Sequence, residues 1–535
     1  MQKNGQRKRL MFHLLMAIFA FSGSVLSAAQ TSPEPGAGPM YIREYRVSGA
    51  QVLPRIEVEK AVYPFMGPGR SEEDVEQARA ALEKAYKDKG YQTVEVQVPQ
   101  QTGRGGVVFL KVVEGKVGRL RVNGSRYFSL AQIKRMAPSL AEGKVVNFND
   151  VTRDIVALNQ LPDRRVTPAL RAGIEPGTVD IDLEVKDTFP LHGSLELNNR
   201  YSANTSELRA NGSISYNNLW QLGHSAGLSF QIVPQEPDEA KVISGYYLTR
   251  LEKTPWLSFI LQGTKQDSNV STLGGAAVAG RGEIIGARAM ITLPPGKDFY
   301  HSVSLGLDYK HFDQNVNLGT GQIQSPVSYY PISAAYTASR VGKNSQTEFN
   351  AGVTMHVRGT GSSEEQFSNS RFKSDGSFIY IRGDLSHTHE FLGGNQIYGK
   401  IQGQLSDQPL LSAEQFSGGG VGTARGYLES EVPGDNALFG TLELRTLNLF
   451  KVLPWLRDRG NEWRVYAFVD SGLLTIHEPL PAQESRFELA SIGVGTHMQL
   501  ADHYNGSIDL AMPLISQGQT QAHDVRLNFR LWADF

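Results

Sequence analysis

From Leu191 to Phe535 apolar and polar positions alternate with a period of two. In the last segment Val525, Leu527, Phe529, Leu531, Ala533 and Phe535 alternate with Asp524, Arg526, Asn528, Arg530, Trp532 and Asp534. Ala490, Ile492, Val494 and Met498 stand against Ser491, Gly493, Gly495 and Gln499 in the same way, as do Leu438, Leu442 and Leu444 against Phe439, Glu443 and Arg445. Period two gives a strand one apolar and one polar face. A soluble β-sandwich shows the same pattern in shorter pieces. Here the segments run about ten residues or more, and polar linkers of alternating short and long length separate them. Aromatic pairs such as Phe299-Tyr300 and Tyr329-Tyr330 stand near segment ends, as in an interfacial girdle. The pattern predicts a transmembrane β-barrel of about sixteen strands, an even number that suits closure.

Upstream the period changes and a unit repeats. Tyr45-Arg46-Val47-Ser48-Gly49 recurs as Leu120-Arg121-Val122-Asn123-Gly124, and Val107 to Gly115 recurs as Val179 to Asp187. Both offsets are about 75 residues, the mark of a duplication. In the first unit Ser71 and Asp74 are spaced to cap a helix. Val75, Ala78, Leu82, Ala85 and Tyr86 form its apolar stripe, and Gly90 ends it. In the second unit Leu130, Ile133 and Met136 suggest one helix, and Val151, Ile155 and Leu158 another. Two strands close each unit; Val94, Val96 and Val98 alternate in the first. The predicted order is β-α-α-β-β, with the helical stripes as core.

Residues 1–28 read as a secretory signal: Lys3, Arg7, Lys8 and Arg9 precede an apolar run from Leu10 to Phe21, and Ser27, Ala28 and Ala29 offer a cleavage site. The run is short for a membrane anchor. The expected organisation is signal 1–28, linker 29–39, modules 40–116 and 117–187, and barrel 188–535.

Composition narrows the chemistry. The chain has 535 residues, no Cys, and 53 Lys+Arg against 54 Asp+Glu. Disulfides, thiol nucleophiles and Cys-ligated metals are excluded, and balanced charge argues against nucleic acid as a partner. Hydrophobic residues make up 40%. That is low for membrane helices, but a barrel needs apolar residues only at alternate positions. No P-loop supplies ATP-driven work and no Gly-x-Ser-x-Gly elbow is present. His387 and His389 share a strand face without a third ligand. No cofactor, metal or catalytic residue is expected.

Two motifs remain. The long segment Gln408 to Asn436 contains Gln415-Phe416-Ser417-Gly418-Gly419-Gly420 and Ala424-Arg425-Gly426-Tyr427. Phe468-Val469-Asp470-Ser471-Gly472 puts an acid on a strand face inside the barrel, which is costly unless the acid is solvated or paired. An Arg on a loop folded into the lumen would be a bidentate partner.

Residues 40–187 resemble a pair of POTRA domains, periplasmic modules that handle unfolded polypeptide. The Arg-Gly-Tyr loop and the Phe468–Gly472 segment resemble paired signatures of the BamA/TpsB superfamily of outer-membrane polypeptide transporters. Two POTRA-like units before about sixteen strands are similar to its TpsB branch, the transporters of two-partner secretion. The resemblance implies an α+β periplasmic POTRA pair followed by an all-β transmembrane barrel. It implies that the tip Arg425, Gly426 and Tyr427 meets the wall motif Phe468, Asp470 and Gly472, with Arg425 on Asp470. Phe416, Gly418 and Gly419 match the approach to the tip, and Asn218 to His224 an early periplasmic turn. Phe535 is similar to the terminal signal read by barrel-assembly machinery. In POTRA domains a client can add as a strand to a sheet edge; the expected edge is Arg164 to Arg171, with Arg164, Val166 and Leu170, interrupted by Pro168. The implied function is secretion of an unfolded exoprotein, a TpsA-like client, across the outer membrane of a Gram-negative bacterium without ATP. Assembly or insertion of other barrel proteins is the alternative. Outer-membrane lipid, barrel-assembly machinery and periplasmic chaperones are the other expected partners, and the barrel is expected to be monomeric. Many TpsB members carry a pore-plugging helix before the first POTRA domain. Residues 29–39 leave too little chain for one, so the Arg425 loop is the remaining candidate for closing the pore.

Overall fold

The computed structural model describes residues 40–101, 104–268, 280–318, 321–452, 460–481 and 483–535. The signal and linker read at 1–39 lie outside these residues.

The first module has a three-stranded sheet with Glu44–Ser48 at one edge, Val107–Val113 in the centre and Glu95–Gln97 at the other edge. Helices Arg55–Val62 and Glu72–Asp88 cover one face. Ser71 caps the second helix and Asp74 returns the bond to the Ser71 backbone, closing the capping box read from the sequence. Val75, Ala78, Leu82 and Tyr86 are buried along the helix. The Val94 to Val98 alternation stops short, because the strand ends at Gln97 and Val98 is exposed. An unpredicted small ladder pairs Met40–Ile42 with Gly67–Arg70.

The second module repeats the plan, with sheet order Lys116–Asn123, Thr178–Asp187, Arg164–Ala172 and helices Leu130–Arg135 and Phe148–Leu158. Ile133 and Leu158 are buried, but Leu130 is exposed and takes no part in the core. The repeat also has a different register from the one read above. Gly49 packs against the Val112 carbonyl and Gly124 against the Val185 carbonyl, so Val112 matches Val185 and Glu114 matches Asp187. The sequence pairing was one residue off, and in a strand one residue exchanges the faces.

The barrel runs from Leu191–Asn198 to Arg526–Asp534, antiparallel throughout, and the last strand pairs with the first. Phe299–Leu318 is long enough to pair with Ile332–Val341 on its inner half and Gly321–Tyr329 on its outer half. Those two segments form one barrel position broken at Tyr330-Pro331, which leaves sixteen positions. Closure satisfies the backbone without any edge. Among the described residues no helix is long and apolar enough to cross a membrane.

The two faces follow the dyad. Leu438, Leu442, Leu444, Val469, Ile492, Leu527 and Leu531 are exposed on the outside. Their sequence neighbours Phe439, Glu443, Asp470, Ser491 and Asn528 are buried in the lumen. Of the pair Phe299-Tyr300, Phe299 has the lipid-facing parity of Leu305 and Leu307, as a girdle residue does, whereas Tyr300 has the lumen parity of Asp308 and is exposed at the periplasmic mouth. Tyr329 is not a girdle residue: it is fully buried among Phe312, Phe367, Phe378 and Leu410, under the outer end of the lumen.

Candidate functional site

The chain between Asn395–Ser406 and Asn436–Arg445 folds back into the barrel. Its arms pair as a short hairpin, Phe416–Gly418 with Val432–Gly434. Gly419, Gly420 and Gly426 have φ of 100°, 88° and 94°, a left-handed region where a side chain would strain the turn. These turns carry Arg425 to the wall, where it is 5% exposed.

Asp470 faces inward because it alternates with the lipid-facing Val469 on Glu462–Thr475. Arg425 grips it with two parallel bonds, Nε to Oδ2 at 2.8 Å and Nη2 to Oδ1 at 2.9 Å, and the Arg425 backbone N–H adds a third at 3.1 Å. Nη1 donates to Glu443 Oε1 at 2.7 Å and lies 3.8 Å from Asp509 Oδ1. The guanidinium carbon sits 3.5 Å from the Phe468 ring centroid, so the flat cation is stacked as well as forked. Arg445 shares Glu443 through Nε at 2.8 Å, and the Tyr466 hydroxyl donates to Asp509 at 2.8 Å. Two guanidinium groups and a phenol therefore face three buried carboxylates.

The structure thus brings Arg425 together with Phe468 and Asp470. The hydroxyl of Tyr427 lies 2.8 Å from the Ile515 carbonyl and accepts from the Ala490 backbone N–H at 3.2 Å, pinning the loop to two further wall segments. Gly472 serves by its lack of a side chain: a Cβ there would lie 2.1 Å from the Phe439 ring. That ring stacks on Phe416 at 5.6 Å, and Gly418 packs against it too. Beside Arg425 a polar cavity of about 450 Å³ remains, bordered by Tyr398, Lys400, Arg445, Arg464 and His497.

Three acids that the sequence reading passed over hold the rest of the loop. Glu414 on the entering arm accepts from Lys310 Nζ at 2.5 Å, the Tyr329 hydroxyl at 2.7 Å and the Tyr380 hydroxyl at 2.8 Å. Glu431 on the leaving arm accepts from the Gln519 and Thr520 backbone N–H groups at 2.6 and 3.2 Å. Asp435, fully buried, takes the Leu410 N–H and Gln415 amide on one oxygen and the His477 N–H and Arg371 on the other. Their sequence signal was an acid with an apolar or Gly residue on one side, as in Ala413-Glu414, Glu431-Val432 and Gly434-Asp435.

The other predicted residues lie elsewhere. The turn Asn218 to His224 meets the second module: the Asn218 and Gln221 amides donate to the Tyr127 carbonyl, and the Ser129 N–H donates to Gln221. Asp163 in the module accepts from Asn217 and bonds His192 at 2.7 Å. Arg164–Ala172 stands at a sheet edge, yet Arg164 and Val166 point into the core. Burial pushes the Arg164 guanidinium down to about 10, and it donates to the Leu158 carbonyl. The Val166 N–H and carbonyl, which face the free edge, are both taken by the Asn159 side chain. Leu170 is exposed. Phe535 continues the seam, its N–H donating to the Gly193 carbonyl at 2.8 Å. His387 bonds Thr347, and among the described residues no cluster of three or more metal-ligating side chains occurs.

Known proteins share this fold. A family model described as haemolysin secretion/activation protein ShlB/FhaC/HecB matches residues 177–498, and one for the ShlB-type POTRA domain matches residues 40–115. Outer membrane transporter CdiB of Dickeya dadantii (strain 3937) is 24% identical over 184 residues, 34% of this chain. CdiB of Escherichia coli O6:K15:H31 (strain 536 / UPEC) is 28% identical over 191 residues, 35% of this chain. Each match spans 32% of the relative's length, about a third. In three dimensions CdiB from Escherichia coli covers 95% of this chain and 93% of its own, with a TM-score of 0.65 at 20% identity. BamA from Haemophilus ducreyi lacking POTRA domains 1-3 covers 93% and 100%, with a TM-score of 0.56 at 13% identity. The likeness to both shows the fold. With more than half its length matched by one family model, this chain belongs to the ShlB/FhaC/HecB family of haemolysin secretion/activation proteins.

Proposed function

We propose that this protein is the translocator of a two-partner secretion system, passing one unfolded exoprotein through its barrel. Its place is the outer membrane of a Gram-negative cell, with the POTRA-type modules in the periplasm. The observation that carries the reading is the Arg425 loop, folded into a closed barrel and clamped on Asp470 by a bidentate contact. A passive pore has no use for such a clamp, nor for modules with free sheet edges. The clamp positions the loop; it performs no chemistry. Direction comes from the client's folding outside, since a folded domain gains about 5–15 kcal/mol.

In this reading the client pairs with an edge of a module sheet. On Arg164–Ala172 the alternation set by Val166 turns the Leu170 and Ala172 backbone groups outward, so the usable edge is its second half. The remaining partners of the proposal are outer-membrane lipid, and chaperones and barrel-assembly machinery that read Phe535 during biogenesis; the working unit is one chain.

Co-expression with a large secreted protein encoded beside it tests the proposal. Appearance of that protein in the medium only when this chain is present supports it. A fall in many outer-membrane proteins on depletion, with no exoprotein lost, would instead indicate a barrel-assembly factor.

A further inference from the structure

Tyr127 of the second module is held at the level of the lipid-facing wall. On Arg209–Leu219 the outward positions include Ile214 and, two residues on, Tyr216, which pairs with the outward Leu191. Phe189, two residues before Leu191, continues that face and is 52% exposed. Its ring stands edge-on to Tyr216 with centroids 6.1 Å apart, and edge-on to Tyr127 at 5.4 Å. An aromatic side chain of the soluble module thus joins an aromatic row of the barrel's outside, while remaining 38% exposed.

The backbone of Tyr127 is fixed from both sides. Its N–H donates to Asp187 Oδ2 at 2.9 Å, and its carbonyl accepts from Asn218 at 3.3 Å and Gln221 at 3.1 Å. Gln221 reaches it from a turn in which Trp220 and Gln221 both adopt positive φ, 61° and 60°. Two consecutive left-handed non-glycine residues are costly, and here they place the amide on the module and leave the Trp220 ring 73% exposed. Trp256 is likewise exposed at the periplasmic rim, and Phe299 continues the outward parity of Leu305 and Leu307 there. Arg126, next to Tyr127 in sequence, is exposed and adds a cation.

We propose that the second POTRA-type module is itself a membrane-interface element: Tyr127 and Phe189 insert into the headgroup layer of the inner leaflet, extending the barrel's periplasmic aromatic girdle onto the module. The occupant is phospholipid. Tyr suits such a site because its ring is apolar and its hydroxyl stays wet, and a neighbouring Arg meets lipid phosphate. The contact restrains the module's tilt against the membrane. It rests on the barrel's lipid-facing wall and holds whatever client is carried.

The test uses the full chain inserted in phosphatidylethanolamine/phosphatidylglycerol vesicles, with and without brominated acyl chains. Tyr127→Trp adds one indole to the five native ones. The added emission is expected to be quenched by brominated lipid and shielded from aqueous iodide. Phe189→Trp is a second reporter at the same level and carries the test if Tyr127→Trp fails to insert. Ile174→Trp is the control, at a hairpin tip about 30 Å along the strands from Asp187; it is expected to respond to iodide and not to bromine. If the added indoles of Tyr127→Trp and Phe189→Trp respond like that of Ile174→Trp, the module does not touch the membrane and the proposal fails.

Discussion

Arg425 lies flat on Phe468 while its edge holds Asp470, so one wall strand supplies both the stacking surface and the acceptor for the loop tip. The two contacts ask for different things, a planar cation and a fork, and Lys offers neither. Arg425→Ala leaves Asp470, Glu443 and Asp509 facing one another without their main cation. Breaking a buried pair by removing one partner costs about 3–5 kcal/mol. The expected variant still inserts as a barrel, shown by heat-modifiable migration, but no longer secretes the exoprotein. Arg425→Lys is expected to behave nearly as badly. Normal secretion by either would remove the clamp from the mechanism.

Gly472 makes a sharper test because nothing charged changes. A Cβ at that position meets the Phe439 ring at 2.1 Å, and that ring is the floor on which Phe416 stacks. Overpacking of this kind costs typically about 1–3 kcal/mol. Gly472→Ala is expected to loosen the loop hairpin and raise protease cleavage between Phe416 and Val432, with the barrel's melting temperature little altered. Protection equal to that of the parent chain would show that the Phe439 stack does not hold the hairpin.

Glu414 fixes the entering arm independently of Arg425. Glu414→Gln keeps the shape but leaves Lys310 without its carboxylate in a buried setting. The outer plug around Tyr329 and Leu410 is expected to open more often, read as higher channel conductance in planar bilayers. Secretion is expected to survive, because the Asp470 clamp is untouched. A loss of secretion as complete as that of Arg425→Ala would mean that the two anchors act as one.

The barrel was legible because its signal is local: alternation along each strand states which face meets lipid, and Asp470 stood out as an acid on the wrong face unless paired. Arg425 was legible through family resemblance and not from charge spacing, since its partner lies 45 residues away in sequence. Glu414, Glu431 and Asp435 were missed because a loop carboxylate reads as a solvated charge until the fold shows that it is buried. Tyr329 misled for a related reason: an aromatic at a strand end suits a girdle, and only the broken strand at Tyr330-Pro331 shows that it turns inward. The repeat register slipped by one residue because Val107 to Val113 and Val179 to Val185 both begin and end on Val. The fixed points are Gly49 and Gly124, each closed on by a specific carbonyl.

Asp187 links acidity to the second module. Burial pushes its carboxyl up, but the Tyr127 and Arg126 N–H groups and the Ser125 hydroxyl outweigh it, so its pKa is lowered. A depressed carboxylate contributes stability that is fully present above the unfolded value of about 3.9 and is lost as pH falls through the native value. The module's loop from Ser125 to Ser129 is therefore expected to be protected at neutral pH and to loosen only below about pH 4. Hydrogen exchange of that loop across acid pH reads this directly. In Asp187→Asn the protection is expected to be weaker at neutral pH and the acid-dependent step to be missing. An unchanged step would assign it to another carboxyl.

The last prediction concerns which half of the edge strand can receive a client. Asn159 already occupies the outward groups of Val166, and Pro168 has no N–H to offer. What remains outward is the backbone of Leu170 and Ala172, a short stretch at the end of the strand farthest from the barrel-proximal Arg164. Leu170→Pro removes one outward N–H without disturbing the bonds that the odd-numbered residues make to Thr178–Asp187. One backbone bond is worth about 0.5–1.5 kcal/mol net, so client binding is expected to weaken roughly two- to tenfold. Asn159→Ala is expected to act in the opposite sense, by freeing the Val166 groups and lengthening the edge. Titration of a client segment against the full chain compares both variants. If Leu170→Pro binds like the parent, the client does not use this edge, and Glu44–Ser48 of the first module becomes the strand to vary.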